Sequence, residues 1–310
     1  MKRNAIGRIV IYSLLILVLL GILLAGLGIK LYGVDHTVQS FVSEILTGND
    51  EGQPKDGISY NGDNGAAQPN NMTASSRATV DTAKVRDLEI EWVAGSVTIA
   101  YGDVTDITIE ESGNFSEDEA MVWNIQQDKL IIRFQKEKTK IVGFGINNIA
   151  GKDLSVTLPQ GWIGDEIDIE VVSANVDVRN LRARELDSEN VSGKMVFTDC
   201  IVDDMSLDTV SGKVEFLGTL KKMSCESVSA DCVLTLQDVP VDVDMETVSG
   251  DMTLVLQKDF GFTVRFSTAS GEFTSDLPVT RTGKAYTHGD GKCRIEFSGT
   301  SGDFIIRSAV

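Results

Sequence analysis

Histidine is nearly missing from this 310-residue chain, which contains only His36 and His288. Metal centres built from several histidines are therefore excluded. A Ser-His-Asp arrangement would have to rest on His288, because His36 lies close to a long apolar run. Cysteine is also scarce. Cys200, Cys225, Cys232 and Cys293 contain no CxxC spacing, which argues against zinc, and none lies near the N-terminal run for lipoprotein processing. An exported chain could join them in a disulfide without requiring one. Basic residues are outnumbered, 28 against 46 acidic. Residues 1–30 hold Lys2, Arg3, Arg8 and Lys30 and no acid, so the other 280 residues carry 24 basic and 46 acidic side chains, a net of −22. Such a body repels phosphate backbones, and no basic patch with interleaved aromatics offsets it, so nucleic acid is disfavoured as a partner. EF-hand and Asp-rich nonapeptide spacings are also absent. The 42% hydrophobic content is nevertheless ample for a folded core.

Ile9 to Ile29 is an unbroken run of 21 uncharged residues. As a helix it reaches roughly 32 Å, enough to span a bilayer. Lys2, Arg3 and Arg8 precede it and Asp35 and Glu44 follow, so charge asymmetry predicts a cytoplasmic tail at 1–8, a transmembrane helix at 9–29 and an extracytoplasmic body at the cell membrane. The alternative is a cleaved signal peptide with a site near Ala25-Gly26-Leu27-Gly28, although the run exceeds the usual roughly 7–15 residues. Val38, Phe41, Val42, Ile45 and Leu46 then form one apolar helical stripe, giving a juxtamembrane amphipathic helix over 30–48. It either extends the anchor or lies on the outer leaflet or a partner's membrane helix. Residues 49–83, rich in Gly and Asn, are expected to form a flexible polar linker.

Beyond the linker the chain repeats. Val93-Ala94-Gly95, Val172-Ser173-Ala174, Val191-Ser192-Gly193, Val210-Ser211-Gly212, Val228-Ser229-Ala230, Val248-Ser249-Gly250, Ala269-Ser270-Gly271 and Thr300-Ser301-Gly302 share one pattern. From Ala174 to Gly271 the small third residues are 19, 19, 18, 20 and 21 apart, followed by a step of 31. Two and four residues after the small position the side chains are mostly apolar, as in Val214 and Phe216, and the next residue after it is polar in every copy. Five and seven before it they are apolar again, as in Leu207 and Met205. This period-two pattern predicts two short strands per coil of about 19–20 residues, with the parity change at the corner joining two sheets. Such a coil cannot bury its inner face alone, so 84–310 is predicted to be an all-β solenoid, with the six copies from Ala174 to Gly271 stacked in sequence order. The small residue permits close approach of successive coils, or a positive φ where it is Gly. The 79 residues between Gly95 and Ala174 are expected to form irregular coils or a hairpin capping the N-terminal end.

The repeated Val-Ser-Gly corners followed by alternating apolar residues, the segment Leu154-Ser155-Val156-Thr157-Leu158-Pro159-Gln160-Gly161, and an anchor with a polar spacer resemble the DUF4097 family. These proteins are described, by inference, as adhesins, and include LiaG-like membrane-anchored proteins of bacterial envelope-stress operons. The resemblance covers roughly 84–310. It implies a β-solenoid on the outer face of a bacterial membrane and supplies no catalytic residues.

Four residues before the small position stand Glu170, Glu189, Asp208, Glu226 and Glu246, preceded by Glu91. Stacking makes these an outward column in which neighbours about 5 Å apart repel by on the order of 1 kcal/mol per pair. Lysines at neighbouring coils' polar positions, or a Ca2+ ion, are two ways of offsetting this. Otherwise the column is a solvated face that discourages edge aggregation. The corner serines read either as turn formers or as a hydroxyl ladder for glycan. Cys225 and Cys232 fall at inward positions, while Cys200 and Cys293 fall outside the aligned strands. No catalytic residue or cofactor other than the Ca2+ considered above is expected. The leading expectation is a non-enzymatic envelope protein that binds a glycan or a membrane protein. The alternative is an envelope-stress regulator coupled to a membrane signalling partner. A polysaccharide-cleaving carboxylate pair is a third reading, with no pair standing out.

Overall fold

The computed structural model describes residues 72–135 and 151–309, of which all but Met72 belong to a unit spanning Thr73–Val310. The expected tail, transmembrane helix and amphipathic helix, His36 and most of the linker lie outside the described residues; among the described residues no helix is long and apolar enough to cross a membrane. Among the described residues strands dominate, and helix is limited to the 3-10 turns Thr82–Lys84 and Glu117–Glu119. The folded unit begins earlier than expected from the linker boundary at 83. Strand Arg77–Val80 buries Ala78 and Val80 and pairs with Ile107–Gly113. That four-residue alternation was hidden at the end of a polar stretch.

Alternation dictates the coil. In Lys213–Ser227, Val214, Phe216, Leu220, Met223 and Cys225 are buried, whereas Lys221 and Lys222 both face outward and turn the chain into the next sheet. At the other corner, the residue three before the small position turns inward although it is polar: Asn190, Thr209, Ser227 and Thr247 are buried. Several of these polar side chains close the bend. Ser227 Oγ accepts from Ala230 N (2.8 Å), Thr247 Oγ1 from Gly250 N (2.9 Å) and Thr268 Oγ1 from Gly271 N (3.0 Å). This places both partners of a buried hydrogen bond within one corner.

The coils stack as parallel rungs, in an order different from the sequence. At the N-terminal end, Lys129–Arg133 and Lys152–Pro159 form a rung against one side of Asp87–Gly102, and Gly164–Arg179 lies on its other side. Rungs then follow in sequence order through Arg182–Asn190, Lys194–Thr209, Lys213–Ser227 and Asp231–Leu236 to Asp242–Thr247 with Met252–Leu256. The next rung in space is the last in sequence, Cys293–Gly299 with Phe304–Ser308. Phe262–Thr268 and Phe273–Ser275 stack outside it. The expectation of consecutive copies from Ala174 to Gly271 therefore fails at its last step. The Gly302 copy is inserted between those of Gly250 and Gly271, and the 31-residue step accommodates the intervening hairpin.

Antiparallel strands extend both ends of the stack, although at the far end only one sheet is extended and Phe273–Ser275 is an edge among the described residues. Beyond the N-terminal rung, Ile107–Gly113 and Arg77–Val80 extend one sheet antiparallel, and Val122–Gln126 and Thr73–Ala74 extend the other. At the far end, Ala285–His288 and Thr280–Thr282 form an antiparallel hairpin on Phe262–Thr268. The outermost strands Thr73–Ala74, Arg77–Val80 and Thr280–Thr282 are short, which limits edge-to-edge association. Lys152 takes the corner place beside Gly95 and is buried with Glu111, Nζ to Oε1 2.7 Å. Its ammonium also donates to the carbonyls of Glu119 (2.6 Å) and Gln135 (2.8 Å) and lies 4.2 Å from the Phe134 ring centroid. Hydrogen bonds beyond the pair are needed to compensate for desolvating both charges. Stacked rings fill the opposite end, with Phe297–Phe304 at 5.1 Å and Phe266–Phe297 at 5.3 Å.

Candidate binding faces

Because the positions five and seven before each corner point inward, those four, six and eight before it point outward, and register stacking turns each into a column. The first column runs Arg133, Glu91, Glu170, Glu189, Asp208, Glu226, Glu246, Ser298 and Ser267. The structure thus brings the five expected carboxylates together, with Glu91 ahead of them. A second column, not singled out in the sequence reading, places Glu89, Asp168 and Asp187 beside them, and Asp244 and Glu296 further along. The same periodicity, read two residues earlier, would have revealed it.

Cations gather at the ends of this face. Lys129 Nζ lies 2.9 Å from Asp168, 3.3 Å from Glu166 and 3.6 Å from Glu89, and Arg133 lies 2.8 Å from Glu91. Arg294 binds Asp242 (2.6 Å) and Glu296 (3.3 Å) at the other end. The expected lysines do not serve the column: Lys194 and Lys213 point from the second sheet, where each reaches Glu215 at 2.7 Å. The sheet switch at the corner separates them from the carboxylates.

Burial, then the carboxylates of Glu170, Asp208, Asp187 and Asp168, pushes the Glu189 pKa up to about 8. Burial followed by Glu91, Glu89 and Asp168 raises Glu170 to about 7, although its open outer side leaves it more screened by water. Asp168 rises to about 6 despite Lys129. Retained protons therefore relieve part of the repulsion. The native state holds more protons than the unfolded chain above the ordinary value of 4.5. This contribution to stability is complete below about pH 4.5 and is lost as pH rises through 7 to 8. Urea midpoints measured from about pH 5 to about pH 9 are expected to show a decline that Glu189→Gln reduces, with a gain near the upper end on the order of 1 kcal/mol. A variant whose pH profile parallels the parent's would refute this. Among the described residues, no group of three or more His, Cys, Asp or Glu is arranged to hold a metal ion.

The corner hydroxyls are engaged between rungs. Ser192, Ser211, Ser229 and Ser249 Oγ donate to the carbonyls of Val172, Val191, Val210 and Val228 at 3.1–3.3 Å. Ser301 donates to Val248 and Ser270 to Thr300, both at 3.2 Å, following the out-of-sequence order. All four cysteines are free and buried, including Cys200 and Cys293, which lie within strands rather than outside them. Cys225 and Cys232 face each other across one coil with their sulfurs 3.4 Å apart. Both ring nitrogens of His288 meet backbone carbonyls, Nδ1 that of Pro278 (2.7 Å) and Nε2 that of Lys258 (3.0 Å), so this ring braces the hairpin.

Two concavities lie along the acidic face, one of about 350 Å3 beside Glu89 and Lys129 and a larger one at the opposite end. The larger groove, of about 490 Å3, is lined by Asp244, Arg265, Phe266, Ser267, Thr282, Lys284, Ala285, Glu296, Phe297 and Ser298. It lies where the carboxylate column changes to Ser298 and Ser267.

Among solved structures, the chain is similar to a "putative cell adhesion protein" from Clostridium sporogenes ATCC 15579, at 12% identity and a TM-score of 0.34, covering 77% of this chain and 100% of that one. It is also similar to a "putative adhesin" from Bacteroides fragilis NCTC 9343, at 11% identity and a TM-score of 0.39, covering 78% and 98%. Comparison with curated proteins gives no match. The family model described as Toastrack DUF4097 matches residues 85–220 and 217–307, together most of the chain and nearly all of the stacked unit. This chain belongs to the Toastrack DUF4097 family.

Proposed function

We propose that the protein is a non-enzymatic, adhesin-like binding scaffold of the cell envelope, anchored through residues 9–29 with the stacked unit outside the membrane. The observation carrying this reading is the in-register outer face, on which one chemical pattern repeats from rung to rung. A surface that repeats along one axis suits an extended or multivalent partner, because each rung adds a similar weak contact. The family assignment and the apolar run flanked by positive charge agree with it. Co-sedimentation of the full-length protein with isolated envelopes tests the binding, and protease treatment of intact cells tests the placement. The protein is expected to sediment with envelopes and its stacked unit to be digested from outside. Failure to sediment, or an epitope shielded until cells are broken, overturns the corresponding half of the proposal.

A further inference from the structure

The groove beside the terminal hairpin has a defined structural origin. Strand Ala285–His288 pairs with Phe262–Thr268 only from Phe262 to Arg265. Beyond Arg265 the hairpin turns back at Gly283, whose φ is +63°, while the longer strand continues through Phe266 and Ser267. The length mismatch leaves a notch with the sheet as its floor and Thr282–Ala285 as its wall.

Its polar groups differ from those elsewhere on the stack. Corner serines are consumed by neighbouring carbonyls, but the hydroxyls of Ser267, Ser298 and Thr282 and the ammonium of Lys284 meet no side-chain partner among the described residues. Arg265 and Lys284 balance Asp244 and Glu296, and Arg265 lies 3.3 Å from Glu296, so the notch is locally neutral on an otherwise acidic face. Phe266, half-buried, supplies apolar surface within it, whereas the Phe297 ring is buried in the core beneath the floor. Ligand sites typically combine apolar lining with a few convergent polar groups in roughly 300–1,000 Å3, and this groove lies in that range. Hydroxyls that can donate or accept, one free ammonium and one open carboxylate complement a ligand rich in hydroxyls. The surrounding carboxylates repel an anionic polymer.

From this we infer that the notch lined by Ser267, Ser298, Thr282 and Lys284 binds a neutral oligosaccharide. The inference rests on the envelope-binding reading and assigns it a site and a ligand class. Titration calorimetry of the full-length protein with chitotetraose and cellotetraose, and with tetragalacturonate as the anionic counterpart, tests it. At least one neutral tetrasaccharide is expected to bind with a Kd on the order of 0.1–1 mM, and tetragalacturonate to bind at least tenfold more weakly. Lys284→Ala and Ser298→Val, both at exposed positions, are expected to weaken binding about tenfold, whereas Lys213→Ala, exposed on the second sheet, leaves it unchanged. Equal binding of the anionic sugar, binding unaffected by both groove variants, or no neutral-sugar binding overturns the inference. If the protein still sediments with envelopes, only the groove assignment fails; loss of both activities removes the envelope reading as well.

Discussion

Replacing Gly212 by Ala is expected to lower stability by about 3 kcal/mol or more, combining backbone strain and overpacking. Gly212 has a φ of +120°, and a Cβ there would lie 2.0 Å from the Gly193 carbonyl oxygen. Two other glycines separate these costs. Gly161 has a φ of +83° but nothing within 4 Å of the added carbon, so Gly161→Ala should cost about 1 kcal/mol from strain alone. Gly250 lies outside the positive-φ region, yet its Cβ would stand 1.9 Å from the Ala230 oxygen, so Gly250→Ala should cost about 1–3 kcal/mol through rung separation. Urea midpoints at constant m-value measure all three. If Gly212→Ala costs no more than Gly161→Ala, close rung approach is not what the small residue protects. Ala174 and Ala230 fit this division because neither is a positive-φ residue.

Cross-linking should report the rung order in a nearly all-or-none manner. Thr253 is the register partner of Ile305, and Ile305 in turn of Thr274, all on outward positions of the second sheet. Adjacent rungs lie about 4.8 Å apart, within disulfide reach, while a rung two steps away lies near 9.6 Å, beyond the roughly 7 Å limit between Cα atoms. Under mild oxidation, Thr253→Cys with Ile305→Cys should cross-link almost completely, and Thr253→Cys with Thr274→Cys should remain near background. The opposite result would restore stacking in sequence order. The native cysteines are buried and should not compete.

Much of this was legible in the chain. Val214, Phe216, Leu207 and Met205 sit inside because alternation about a recurrent small residue allows little else. The acidic column followed from the same arithmetic, since register converts a repeated sequence position into a line in space. The partners of that column were not legible. Lys194 and Lys213 carry the right charge in the right coils, but the corner sends them to another sheet and to Glu215. The groove was invisible as well, because it arises from a mismatch between two strand lengths rather than from a motif.

The sequence by itself determined the coil: its period, its buried and outward faces, its small corner residue and the acidic character of one face. These are local consequences of side-chain alternation and chain stiffness. Only the tertiary structure decided which coil lies beside which. A parallel rung offers nearly the same backbone donors and apolar edge to any copy, so the repeat carries no address. The order was set where the repeat ends, by the hairpin that lets the last coil return between two earlier ones and by the antiparallel strands that extend both ends. The upward shifts of Glu170 and Glu189 share that origin, because like charges and burial act together only once the rungs are in register.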